Sequence, residues 1–266
     1  MTPRMLTLIA LTMGCQEAPE AIPEEFEEAS DIPQPSRDLD NDDEDQDIDD
    51  TDDDDTDDDT DDDDDTDPQP ADPVEYSFDS DTSLIYVQVF KDPSAFGSAF
   101  AHDHVMRAEN FDGEVIYNPE DLSDCDVYFS VPVEQLQVDE SGMRELVGYG
   151  DSLSSSDRAT IREHMLDSNQ LNANAYSTID FVSTSCSGDD GTSGTLTVDG
   201  GLTVRGRTAN VSLPIRFEID GGNFYAQASF EMNHAEFGME PYSAFGGAVR
   251  NDDPLRFTLD VVGYPN

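Results

Sequence analysis

From Val74 to the C-terminus, apolar and polar residues alternate with a period of two. The clearest run is Val211, Leu213, Ile215, Phe217 and Ile219, which resumes after Asp220-Gly221-Gly222 as Phe224, Ala226, Ala228, Phe230 and Met232. Shorter runs are Ile85, Val87 and Val89; Val127, Phe129, Val131 and Val133; Ile179 and Phe181; Leu196 and Val198, then Leu202 and Val204; and Phe257, Leu259 and Val261. Alternation puts every second side chain on one face, so each run predicts a strand with one face buried and one wet. Asp-Gly and Gly-Gly pairs are hairpin signals, and they predict turns at Asp199-Gly200-Gly201 and Asp220-Gly221-Gly222. Regular strand–turn–strand spacing predicts an antiparallel sandwich or barrel. One segment breaks the period. Ser154 is an N-cap candidate, Asp157 is an acid in the first turn, and Ile161, Met165 and Leu166 are apolar. That pattern predicts one short amphipathic helix ending at Leu166, suited to plug or cover a barrel.

The pattern stops upstream of residue 73. Residues 16–75 hold 31 of the 62 acids and a single base, Arg37, whereas residues 76–266 hold 31 acids and 10 bases. Runs such as Thr60-Asp61-Asp62-Asp63-Asp64-Asp65-Thr66 cannot bury enough apolar area to offset chain entropy, and their like charges repel. Residues 15–72 therefore predict a disordered acidic linker, and residues 73–266 a separate domain. Carboxylates suit calcium, but no Gly lies between Gly14 and Gly97 to form the turn of a calcium loop. A net charge of −50 excludes nucleic acid as a partner.

The first residues follow the order of a secretory signal: Arg4, a short apolar run, then Gly14-Cys15. Cys15 directly after Gly14 resembles a bacterial lipoprotein signal, although Thr12 stands where Leu is usual. This reading makes residues 1–14 a signal peptide and Cys15 the lipidated, membrane-anchoring residue. Gln16 after it points to the outer membrane of a bacterial cell envelope, with the periplasmic or surface face left open. If Cys15 carries lipid, Cys125 and Cys186 remain, an even number in an oxidising compartment. They form either a disulfide closing a loop of about 60 residues or two buried thiols, the disulfide being favoured.

Motifs of catalysis are absent from the sequence: there is no G-x-S-x-G, H-E-x-x-H, S-x-x-K or Gly-rich phosphate loop, and Lys91 is the only lysine. The expectation is a protein that is not an enzyme and needs no cofactor. His102 and His104 would share a face on a strand, where two imidazoles can hold a metal, with His234 or Glu236 as a third ligand. Nothing in the sequence brings these together.

Several stretches line up with one family. Ala175-Tyr176-Ser177-Thr178-Ile179-Asp180-Phe181 resembles the Y-P-x-I-x-F strand of the YceI-like proteins. Gly201-Leu202-Thr203-Val204-Arg205-Gly206-Arg207-Thr208, continuing to Leu213-Pro214, is similar to their G-x-L-T-I-x-G-x-T hairpin. Met232-Asn233-His234-Ala235-Glu236-Phe237-Gly238-Met239 looks like I-x-R-x-D-F-G-M, and His104-Val105 with Phe111-Asp112-Gly113-Glu114-Val115 looks like the family's opening. Ser177, Glu236 and His234 depart from the family's Pro, Asp and Arg. The resemblance implies a lipocalin-like, extended antiparallel β-barrel whose tunnel binds an isoprenoid chain. A homodimer is left open as a partner state. Chosen by inward phase and size, the wall candidates are Phe100, Phe111, Phe129, Phe181, Leu213, Ile215, Phe217, Phe230, Met232 and Phe237. His104 and His234 are candidates for the polar head. The expected function is non-enzymatic binding, transport or storage of an isoprenoid-type lipid. The alternative is a cell-envelope interaction lipoprotein that binds a protein or cation through its acidic stalk and barrel surface and carries no lipid.

Overall fold

The alternating runs are realised as strands. The computed structural model describes residues 72–266. The expectations for the signal peptide, Cys15 and most of the acidic linker lie outside the described residues. The strands are β1 Val74–Phe78, β2 Leu84–Lys91, β3 His104–Ala108, β4 Asp112–Tyr117, β5 Asp126–Pro132, β6 Leu136–Val138, β7 Thr178–Gly188, β8 Ser193–Val204, β9 Arg207–Asp220, β10 Asn223–Asn233, β11 Ser243–Ala244 and β12 Val249–Pro265. Two helices, α1 Ser141–Leu146 and α2 Ser155–Leu166, lie between β6 and β7.

All strand pairs are antiparallel, and eight strands close a ring in the order β1-β4-β5-β7-β8-β9-β10-β12 and back to β1. The fold is thus an all-β, lipocalin-like barrel. The long β12 carries a fork. Its end, Gly263–Pro265, pairs with β1, while Asn251–Asp260 pairs with β2, from which β3 and β6 continue. One end of the barrel is therefore walled by β2, β3 and β6 instead of β1 and β4.

In β9 and β10 the alternation is nearly unbroken, with Leu213, Phe217, Phe224, Ala226 and Met232 buried and their neighbours exposed. Gly221 and Gly222, at φ 58° and 85°, form the two-residue turn between them. The other expected turn is not one. Asp199-Gly200-Gly201 lies inside β8. A Cβ at Gly200 would stand 2.6 Å from Cζ of Phe181 and 2.5 Å from the Val182 carbonyl oxygen. Glycine there admits the Phe181 ring, a close approach that in sequence looks like a turn signal. The turn falls instead at Arg205-Gly206, with φ 51° and 68°.

α2 starts as the sequence predicts. The Asp157 N–H donates to Ser154 Oγ at 3.2 Å, and the Ser154 N–H donates back to Asp157 Oδ2 at 3.3 Å. Ile161 and Met165 turn inward. α1 was not expected, its six residues being too few to show a helical period. Cys125, ahead of β5, and Cys186, on β7, form a disulfide with Cα atoms 5.9 Å apart.

Candidate functional site

Inward residues of the closed barrel leave space at two successive levels. The larger cavity, about 210 Å³, lies at the end walled by β2, β3 and β6 and covered by α2. Val87 and Val89 of β2, Met106 of β3, Leu136 of β6 and Ile161 and Met165 of α2 line it. Leu171, in the loop after α2, completes the cover. That loop is tied down by Arg205 at the β8–β9 turn, whose guanidinium donates to the carbonyls of Ser168 at 2.7 Å and Gly238 at 3.0 Å.

A narrower cavity of about 30 Å³ follows along the same strands. On β5 the lining passes from Val131 in the first cavity to Phe129 and Val127 in the second, and on β7 from Ile179 to Phe181. On β12 it passes from Leu255 and Phe257 to Leu259 and Val261. Steps of two keep to one face of a strand, so both spaces lie along one interior axis. Leu255 to Val261 spans about 20 Å at strand rise. Phe129 and Phe181 are register partners at the junction, and Phe129 is stacked on Phe78 with ring centres 4.7 Å apart. Beyond the narrow space an aromatic floor closes the barrel. Tyr117, Phe217 and Phe224 meet with ring centres 5.2–5.9 Å apart, and Tyr76 lies 5.5 Å from Phe224. The Tyr117 hydroxyl donates to the Gly191 carbonyl at 2.8 Å, and burial pushes it up to about 12.

Polar side chains gather around the wider end, whereas Gln227 is the one polar residue lining the narrow space. His104, His164 and His234 line the large cavity, as do Tyr86, Tyr242 and Asn251. His234 Nδ1 donates to the Asp253 carbonyl at 2.6 Å, and burial lowers its pKa. The neutral ring therefore presents Nε2 as an acceptor. His164 stacks on Tyr242 at 5.0 Å. His104 Nδ1 donates to the fully buried Asp139 at 2.7 Å. The same carboxylate accepts from the Val105 N–H at 3.1 Å and from Arg144 at 2.7 Å. Arg144 reaches on to Asp151, which also meets His102. The His102/His104 pair is thus divided. His104 faces the cavity and His102 the surface, each held by a different carboxylate. Among the described residues, no group of three or more His, Cys, Asp or Glu is placed to hold a metal ion.

Of the expected ligand residues, His104, His234 and Phe237 line the large cavity. Phe129, Phe181, Leu213 and Ile215 line the narrow one. Phe111 packs against Phe129, Phe230 stacks on Phe257, Met232 is buried in the core, and Phe217 belongs to the floor. Phe100 is a correction. It is 82% exposed, because it sits in a three-residue turn between β2 and β3 rather than on a strand. Apart from His104, the residues that line the large cavity on β2, β3, β6 and α2 were not singled out from sequence as ligand contacts. One signal was available: Ile161 and His164 lie three apart on α2 and share a face. Of the family departures, Glu236 caps its turn by accepting the Asn233 N–H at 2.6 Å, and His234 takes its place at the cavity.

A closed antiparallel barrel with an apolar axis, floored at one end and rimmed by polar groups at the other, defines a small-ligand-binding class of β-barrel. The YceI-like domain model matches residues 76–261, and the chain belongs to that family. Among solved structures, it is similar to BcnA of Burkholderia cenocepacia at 14% identity and a TM-score of 0.52, covering 70% of this chain and 98% of that one. It is also similar to a polyisoprenoid binding domain from Saccharophagus degradans, at 8% identity and a TM-score of 0.49, covering 73% and 99%. A third is the Campylobacter jejuni YCEI protein, at 9% identity and a TM-score of 0.44, covering 60% and 84%. No curated protein matches the chain.

Proposed function

We propose that this protein is a non-enzymatic carrier or store that shelters the chain of an isoprenoid-type lipid along the barrel axis. The observation that carries this reading is the continuity of the two cavities along β5, β7 and β12, which suits a ligand much longer than it is wide. Such a ligand binds by burying area, roughly 25 cal/mol per Å² before association costs. With the tail toward the aromatic floor, the head group lies among Tyr86, Tyr242 and the three imidazoles. Neutral His234 accepts there, which favours a head that donates a hydrogen bond, such as an alcohol. Cys15 carries the lipid anchor and holds the domain to the cell envelope.

Native mass spectrometry of the full chain made in a periplasm, followed by organic extraction, tests the reading. An extra mass released as a polyprenyl species is the expected result. A clean apoprotein mass that stays clean after incubation with polyprenol overturns it, and favours an interaction lipoprotein working through its exterior. Membrane fractionation of a Cys15→Ser chain tests the anchor, the expected result being release from the membrane.

A further inference from the structure

Three large apolar side chains stand almost wholly in water: Phe96 is 99% exposed, Phe100 82% and Phe245 87%. Each ends the same tripeptide, Ser94-Ala95-Phe96, Ser98-Ala99-Phe100 and Ser243-Ala244-Phe245. The first two lie in the β2–β3 loop, and the third follows Ser243-Ala244 of β11. The two loops touch through their backbones. The Asp92 N–H donates to the Arg250 carbonyl at 3.0 Å, and the Gly97 N–H to the Ala248 carbonyl at 2.7 Å. A Cβ at Gly97 would stand 2.7 Å from that Ala248 oxygen, so glycine allows the approach.

The only charges at this place are a mutually neutralising pair at the base of the loops, where Arg250 donates to Asp92 at 2.5 Å and reaches Ser94 Oγ at 3.4 Å; the loops themselves carry none. Residues 93–101 and 241–249 contain no Asp, Glu, Lys or Arg, in a chain with 62 acids. Phe245 has φ 51°, and Gly246 and Gly247 follow at 66° and 91°. A bulky residue adopts that backbone at a cost, here spent on presenting a ring to solvent. The patch also borders the large cavity. Tyr242 and Asn251 line that cavity, and they adjoin Ser243 and Arg250, which are register partners.

We propose that these three phenylalanines form a bilayer-docking surface, inserting into the interfacial layer of a lipid membrane and setting the cavity mouth against it for loading and release. The proposal rests on the carrier reading above. A lipid tail moving between bilayer and cavity then avoids water, and aromatic rings on uncharged Ser-Ala-Gly loops are suited to the headgroup boundary. Insertion here is apolar, so it is insensitive to salt. The domain's 31 acids against 10 bases make anionic vesicles the poorer surface.

The test uses the full chain with Cys15→Ser, which removes any acyl anchor, and the same chain carrying F96S, F100S and F245S. Flotation is measured with phosphatidylcholine vesicles, alone and with phosphatidylglycerol, and farnesol binding is measured in solution. The parent chain is expected to float on phosphatidylcholine independently of salt. The triple variant loses this by about a thousandfold, at about tenfold per ring, while farnesol binding is unchanged. Failure of the parent to float, or equal flotation by the variant, overturns the proposal. So does a dimer in sedimentation velocity that the variant abolishes without change in flotation, since the patch is then a face between copies. Ring-dependent flotation with no farnesol binding by either chain overturns the loading role and the carrier reading, and leaves a membrane contact alone.

Discussion

Replacing Asp139 by asparagine keeps the shape of the side chain and removes its charge. The carboxylate is fully buried and accepts from His104, Val105 and Arg144, at 2.7, 3.1 and 2.7 Å. Arg144 is itself 3% exposed in its side chain, so it loses its buried counter-charge. It keeps Asp151 and the carbonyls of Asp103 and Asp151. Breaking a buried ion pair by removing one partner costs about 3–5 kcal/mol. The retained partners place Asp139→Asn near about 3 kcal/mol, and Asp139→Ala, which also leaves the Val105 N–H unmet, near about 5 kcal/mol. Backbone strain does not confuse the Asn result, because residue 139 has φ 50° and Asn tolerates that region. Adding Arg144→Met to Asp139→Asn is expected to recover part of the loss, since no unpaired cation is then buried. Urea unfolding of the single and double variants at neutral pH measures all of this. Burial pushes the Asp139 carboxyl up, but the His104 hydrogen bond and charge, with Val105 and Arg144, hold it below the ordinary carboxylate range. Its stabilisation is therefore present at neutral pH and lost as pH falls below about 4. The Asn variant lacks that part of the acid sensitivity. A loss under about 0.5 kcal/mol for Asp139→Asn, or strictly additive effects with Arg144→Met, would refute the reasoning.

Other outcomes follow from the same structure. Replacing both Cys125 and Cys186 by serine is expected to lower stability by about 4 kcal/mol through the freed loop, checked by urea unfolding against the oxidised parent. Ile179→Trp fills the junction between the cavities, and is expected to abolish prenol binding while the far-ultraviolet circular dichroism stays that of a β protein. Because burial depresses His234, its ring is expected to stay neutral below about pH 6.5, as followed by imidazole NMR shifts. The unfolded chain then binds the proton that the folded one refuses, so this residue's contribution to stability declines as pH falls through that value.

The sequence discloses some of this and hides the rest for physical reasons. The β9–β10 hairpin was legible because strict alternation and a Gly-Gly turn agree on the same register. Gly200 was misread because glycine serves both tight turns and close approaches, and only the Phe181 ring lying across the strand decides between them. Inward phase correctly placed Phe129 and Phe181 in the interior. It could not separate lining from packed core, because Phe217 and Phe224 show the same alternation yet close the floor against Tyr117. That distinction depends on side-chain volumes meeting across the barrel. The fork of β12 onto β2 was hidden too, since pairing over 160 or more residues leaves no local trace.

The most direct test of the central claim is affinity along a series of prenols of increasing chain length, measured on the full chain in parallel with Ile179→Trp. If the two cavities form one axis, each added isoprene unit buries more apolar surface, and affinity rises by about tenfold or more per unit before levelling at the floor. The Ile179→Trp chain then shows no such rise. Affinity that is independent of length, or equal in the two chains, would contradict an interior lipid site.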